Sequence, residues 1–281
     1  MNNLQKQSLQ SDEYFDSASR PSPIVEEILA LIKYRELVYQ FVSRSIKTRY
    51  KRSVLGVFWT LLNPLLTMIV LTIIFSQVFR FSVDNYPIYV LCGLVIWNFY
   101  SNATSGAMSD MLWSGSLLGR IYIPKSVFAV SAIGTGLINL LISLIPVFII
   151  ALVLRVQITP AILVMPFSVF LLAIFSLGFG LTISTAAVFF GDMEPVYNVL
   201  LMIWFYATPI IYPIDVIPEQ FQWLIRFNPL FYFLTIFREP LYNGTVPDLS
   251  FWVISSLLAL GMLVIGAYTF TSRTNEYAYR I

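Results

Sequence analysis

The 281-residue chain is 58% hydrophobic and 11% charged, where an ordinary soluble domain carries roughly 25% charged residues, and this excludes a water-soluble globule. With no histidine and Cys92 as the single cysteine, the chain alone cannot build a histidine-based triad, a histidine or cysteine zinc site or an internal disulfide. A net charge of +2 is too small to argue for nucleic acid, and no glycine is followed by lysine, so there is no P-loop to bind ATP.

Residues 1–23 are rich in Gln, Ser, Asp and Asn, lack apolar periodicity and read as a flexible polar tail with no signal-peptide pattern. Residues 24–281 form one transmembrane domain. Its entry, 24–52, places Ile28, Leu31, Ile32, Val38, Val42 and Ile46 at helical spacing, which predicts an amphipathic helix lying on the membrane surface. Arg44, Lys47, Arg49, Lys51 and Arg52 follow with no acid among them, a composition drawn to an anionic cytoplasmic leaflet.

Six charge-free stretches come next: 27 residues between Arg52 and Arg80, 25 between Asp84 and Asp110, 29 between Lys125 and Arg155, 36 between Arg155 and Asp192, 20 between Glu194 and Asp215, and 24 between Asp248 and Arg273. About 20 residues at 1.5 Å each cross a ~30 Å hydrocarbon core, so each stretch predicts one membrane helix. The spans fall at about 57–79, 88–108, 127–154, 161–189, 195–212 and 251–270, with Cys92 a small apolar residue inside the second. Placing both termini in the cytoplasm puts 13 Lys and Arg inside and four outside, namely Arg80, Arg155, Arg226 and Arg238. The outward connection 213–250 stays apolar but is broken by Pro213, Pro218, Pro229, Pro240 and Pro247, which predicts re-entrant or interfacial helices between the fifth and sixth spans. The expected fold is therefore an all-α polytopic membrane protein of six transmembrane helices, with an N-terminal interface helix and re-entrant outer helices.

None of the six cores contains Asp, Glu, Lys, Arg or His, which weighs against a proton- or sodium-coupled carrier. Asn63-Pro64 reads as a kink, and Gly115 with Gly119 falls in a loop where the small-residue helix-dimer motif has no meaning. The outward acids Asp84, Asp215, Glu219, Glu239 and Asp248 could serve an intramembrane glycosyltransferase or polymerase, but they read first as solvated loop charges. Aromatic residues reach 16% of the chain. They suit interfacial belts and packing; alternatively Trp97, Tyr100, Trp204, Tyr206, Tyr212, Phe231 and Tyr232 line a path, because flat amphipathic rings hold sugar faces without strong charge.

The stretch Glu36-Leu37 through Pro64, with Arg49-Tyr50-Lys51-Arg52-Ser53-Val54-Leu55-Gly56, Trp59 and Leu62-Asn63-Pro64, resembles the entry to the first span of bacterial type-2 ABC exporter permeases for cell-surface polysaccharides. Arg120-Ile121-Tyr122-Ile123-Pro124-Lys125, Gly191-Asp192-Met193-Glu194, Pro209-Ile210-Ile211-Tyr212-Pro213 and Phe227-Asn228-Pro229-Leu230 resemble later segments of the same family, so the likeness runs from about Ile28 to Arg273. The family includes permeases for O-antigen, capsule and teichoic acid. The resemblance implies a transport subunit, not an enzyme, in the bacterial cytoplasmic membrane, pairing with a second copy of itself and with two ABC ATPase subunits that bind ATP and Mg, so that this chain needs no cofactor. It also implies an undecaprenyl-linked glycan substrate. ATPase contact is carried onto Glu36, Gln40 and Arg44 and onto Gly119, Arg120 and Lys125, while Arg49, Lys51 and Arg52 become candidates for the substrate diphosphate. Export of lipids or drugs on the same helices is the alternative within the fold.

Overall fold

In a computed structural model, the chain is described over residues 23–51, 56, 58–78, 84–113 and 123–277. The polar tail up to residue 22, Arg52 and the loop carrying Gly115, Gly119 and Arg120 lie outside the described residues. Among those described, regular structure is entirely helical. The α-helices are α1 Pro23–Lys33, α2 Arg35–Tyr50, α3 Phe58–Thr72, α4 Tyr86–Trp113, α5 Ser126–Val153, α6 Met165–Phe189, α7 Met193–Ala207, α8 Glu219–Arg226, α9 Pro229–Tyr242 and α10 Leu249–Ser272. A wider π turn, Ile73–Val78, extends α3, and a 3-10 turn, Pro160–Val164, leads into α6.

Four helical stretches are long and apolar enough to cross a membrane: Phe58–Phe75, Ser126–Val153, Pro160–Phe189 and Leu249–Ser272. The chain is thus a multi-pass membrane protein. Helix α4 has ample length at 28 residues, but Asn98, Ser101, Asn102, Ser105 and Ser109 dilute its apolar character. Helix α7 has only 15 residues, about 22 Å against a ~30 Å core. It stops at Ala207, well before the expected end at 212, because Pro209 disfavours helical backbone at the residue before it and Thr208 is extended (φ −101°, ψ 135°). Beyond Pro213 the proline-broken connection forms two short helices, α8 and α9, as the spacing of its prolines predicts.

The centre of the molecule is α4, packed on α3, α5 and α6, with Cys92, Leu91 and Tyr100 wholly buried. Helices α6 and α10 approach so closely that a side-chain carbon at Gly178 would run into the backbone carbonyl of Met262, and one at Gly266 into that of Gly178. Small residues of this kind let helix backbones touch where no hydrophobic force drives association. Pro64 has no N–H for the carbonyl of Thr60, and the hydroxyl of Ser143 on α5 lies 3.4 Å from that oxygen.

Helix α2 lies along α5, with the rings of Phe41 and Phe128 5.3 Å apart and Val42 seated over Gly134. Helix α1 packs the partly buried Leu31 against this end of the bundle and leaves Val25, Ile28, Leu29 and Ile32 exposed, the apolar stripe expected of a helix on a membrane surface.

Candidate functional site

Three places in the fold combine polar chemistry with a defined position. The first is a groove of about 380 Å³ between α3, α4 and α5, near the end of α2. Its walls carry the amides of Asn63, Asn98, Asn102 and Asn139 and the hydroxyls of Ser101 and Ser143, beside Trp59 and Arg49. Ser101 donates to the carbonyl of Trp97 at 2.9 Å and Asn102 Nδ2 to that of Asn98 at 2.6 Å, so part of the donor capacity is spent within α4 while oxygen lone pairs remain. Such walls suit hydroxyl-rich, uncharged groups, and Arg49 is the single charged side chain among the described residues of the lining. Lys51 is exposed at the C-terminal cap of α2, two residues from Arg49. The composition of the entry segment exposes this basic end; the amide-lined groove behind it was not legible, because its residues come from three helices.

The second place is the surface formed by α1, α2 and the start of α5. Glu36, Gln40 and Arg44 recur every four residues along α2 and all are exposed, so they share one face. Lys125 behaves differently: it is half-buried, donates to the carbonyl of Thr274, and sits 4.9 Å from the centre of the Tyr277 ring. Burial lowers the Lys125 ammonium from its ordinary value, with the charge of Glu27 pulling the other way. Glu27 Oε1 accepts the Ser126 N–H at 3.2 Å, placing an anion at the positive N-terminus of α5. Tyr277 is fully buried and its hydroxyl lies 2.7 Å from Thr185 Oγ1, and burial pushes the phenol up to about 12. Helices α1, α5, α6 and the segment after α10 are therefore joined through Glu27, Lys125, Thr185 and Tyr277. Of this cluster sequence reasoning singles out Lys125 alone; the contacts of Glu27, Thr185 and Tyr277 join segments far apart in the chain and leave no local signal.

The third place is the C-terminal end of α7. Beyond the helix, the four successive carbonyl groups of residues 209–212 lie outside regular structure, and side chains from elsewhere take them up. Arg238 Nη1 donates to Pro209 O at 3.0 Å and Nη2 to Ile210 O at 3.2 Å, while Tyr86 donates to Ile211 O at 2.6 Å and Tyr89 to Tyr212 O at 3.0 Å. The Arg238 guanidinium lies 3.7 Å from the centre of the Tyr89 ring, and a side chain at Gly93 would collide with Nη2 and with Ile210. Asn228 caps α9 by accepting the Leu230 N–H at 3.0 Å; it also accepts from Trp204 Nε1 at 2.8 Å and donates to Ala207 O at 3.1 Å. One amide thus fixes the start of α9 to the end of α7. Asn-Pro ahead of an apolar run is a readable helix start, and that signal could have found Asn228. Arg238 was counted among the outer loop charges, yet it is only 8% exposed. Its acceptors lie 28 and 29 residues away and exist only because α7 ends early.

The candidate path aromatics separate into groups. Trp97, Tyr100 and Trp204 form one cluster inside the subunit, with Tyr100 5.3 Å from Trp204 and Trp97 5.4 Å from Phe205. Phe231 and Tyr232 pack on Phe251 at 6.1 and 5.8 Å. Tyr212 is half-buried and donates to Tyr206 O at 2.6 Å, whereas the Tyr206 ring is exposed. Of the outward acids, Asp84, Asp215 and Glu239 line a common cavity, while Glu219 and Asp248 are not part of it.

The ABC-2 type transporter family matches residues 36–242, from α2 to the end of α9, and the chain belongs to this family. Among individual proteins, it is 31% identical over 251 residues to an O-antigen export system permease protein RfbA of Klebsiella pneumoniae, covering 87% of this chain and 93% of that one. It is 28% identical over 260 residues to the RfbA of Myxococcus xanthus, covering 92% of this chain and 100% of the relative. A polysialic acid transport protein KpsM of Escherichia coli is 26% identical over 237 residues, covering 82% of this chain and 90% of that one.

Proposed function

We propose that the chain is the permease subunit of an ATP-driven exporter that moves lipid-linked cell-surface polysaccharide across the bacterial cytoplasmic membrane. Family membership and O-antigen export relatives matched over most of both chains support this reading. The observation that carries it in the structure is the amide- and hydroxyl-lined groove opening beside Arg49. Two copies of the chain form the pathway, and two ABC ATPase subunits bind ATP and Mg and supply the energy. Six spans cross the membrane, α4 and α7 completing the four apolar stretches, and both termini lie in the cytoplasm.

Arg49 and Lys51, joined by Arg52, hold the diphosphate of an undecaprenyl-linked substrate by charge-assisted hydrogen bonds. The first sugars enter the amide groove, whose donors and acceptors match hydroxyl groups one for one. The Glu36, Gln40 and Arg44 face of α2 and the connection through Gly119, Arg120 and Lys125 receive the ATPase. Its closure moves α2 against α5, and the cluster around Lys125 and Tyr277 carries that motion into α6 and α10.

Deletion of the chain in its native host tests this. The expected result is loss of surface glycan with lipid-linked polymer retained inside, restored by the wild-type chain. Intact surface glycan after deletion would sink the reading, and loss of polymer synthesis would point to an intramembrane enzyme instead.

A further inference from the structure

The outer cavity beneath α9 has a volume of about 780 Å³, inside the ~300–1,000 Å³ range of clefts that enclose small ligands. Phe231 and Phe251, edge to face at 6.1 Å, make up one side, and the carboxylates of Asp84, Asp215 and Glu239 share the lining. Aromatic faces pack against the C–H face of a sugar ring, and carboxylates accept its hydroxyl protons. Arg238 lines the same cavity, is 8% exposed, and its Nε–H has no acceptor among the described residues.

Charge decides which oxygen-bearing ligand fits. Three carboxylates face one guanidinium whose two Nη atoms are already committed to Pro209 O and Ile210 O. Over its described residues the cavity is net negative, so it repels a phosphate or a chain bearing one carboxylate per sugar. The groove near the end of α2 has the opposite sign, with Arg49 the single charged side chain among the described residues of its lining. We propose that the outer cavity is a subsite for an uncharged stretch of the exported glycan and that it selects against polyanionic chains. This rests on the export reading above and adds a substrate class to it.

The test uses the full-length chain with its ATPase partner in lipid nanodiscs, titrated with a neutral glucose hexamer and with a galacturonate hexamer, and binding is read by ligand-observed NMR. The neutral hexamer is expected to bind at least tenfold more tightly than the galacturonate. Phe231→Ala weakens the neutral hexamer about tenfold, and the double variant Asp215→Asn with Glu239→Gln narrows the preference at least fivefold. Thr235→Trp, which fills the cavity without altering charge, abolishes the neutral binding while ATPase co-purification and melting temperature stay as in wild type, which separates a filled cavity from a misfolded chain. Glu219→Gln, on exposed α8 and outside the cavity, leaves both titrations as they are. Equal affinity for the two hexamers, no binding of the neutral one, or a preference untouched by the double variant would overturn the proposal. If the preference is missing but deletion still abolishes surface glycan, the export reading survives alone; if deletion also leaves surface glycan intact, both fall.

Discussion

Arg238 shows how much a single side chain can hold in a membrane protein. Without it, the carbonyl of Ile210 would lose its side-chain donor and that of Pro209 would keep only the Tyr89 hydroxyl at 3.5 Å, and each unmet buried group costs ~1–3 kcal/mol. Arg238→Gln should therefore lower the melting temperature of the purified chain clearly, by the equivalent of about 2–4 kcal/mol. Arg226→Gln, at an exposed position on α8, should stay within about 0.5 kcal/mol of wild type. Equal melting temperatures for the two variants would show that the Arg238 clamp carries no stability. Residues of this kind are the least legible in a sequence. Composition marks Arg238 as a charge near a span end, and only the fold brings the broken end of α7, Tyr89 and the gap left by Gly93 around it. Asn228 stands between the two cases: its place before Pro229 reveals a cap, while its bonds to Trp204 and Ala207 are long-range and silent in one sequence.

At the scale of elements, the charge-free stretches predict the helices, because lipid leaves the backbone no partners except its own. Boundaries follow where proline or charge ends a run; α7 ends short of its charge-free stretch because Pro209 lies inside that stretch. The contact between α6 and α10 is a property of two helices that neither sequence segment displays alone. Gly178→Ala should push them apart and cost ~1–3 kcal/mol, since a methyl group there meets backbone that cannot turn aside. Gly261→Ala on the same α10 meets nothing within 4 Å and should be neutral or up to ~1 kcal/mol stabilising, because alanine is the better helix former. Thermal unfolding of the two variants checks this, and the same sign for both would contradict the close approach. Helix α2 offers a different test. Arg44→Glu with Gln40→Glu reverses the character of its exposed face without touching Phe41 or Val42, which hold it to α5. Co-purification of the ATPase subunit should fall severalfold while the permease itself keeps its melting temperature; undiminished co-purification would remove this face from the interface.

For the molecule as a whole, the two ends differ in chemistry. The inner end gathers Arg49 and Lys51 beside amides and hydroxyls, and the outer end gathers carboxylates beside aromatic rings. On the proposed export reading, a substrate with an anionic head and a long sugar chain would meet attraction at the first end and, once its head has passed, a surface that favours its uncharged part. Sequence reading picks out the basic segment from its density of Lys and Arg. It left the outer acids as solvated charges, because only folding of the 213–250 connection over α4 brings Asp84, Asp215 and Glu239 to one cavity. The most direct test is the ATPase activity of the co-purified complex in nanodiscs, with and without lipid-linked glycan from the host. The expected result is a stoichiometric ATPase partner stimulated severalfold by the glycan, with stimulation lost and basal turnover present when Arg49→Glu and Lys51→Glu are combined. A chain that purifies without an ATPase, or an ATPase indifferent to the lipid-linked glycan, would contradict the account.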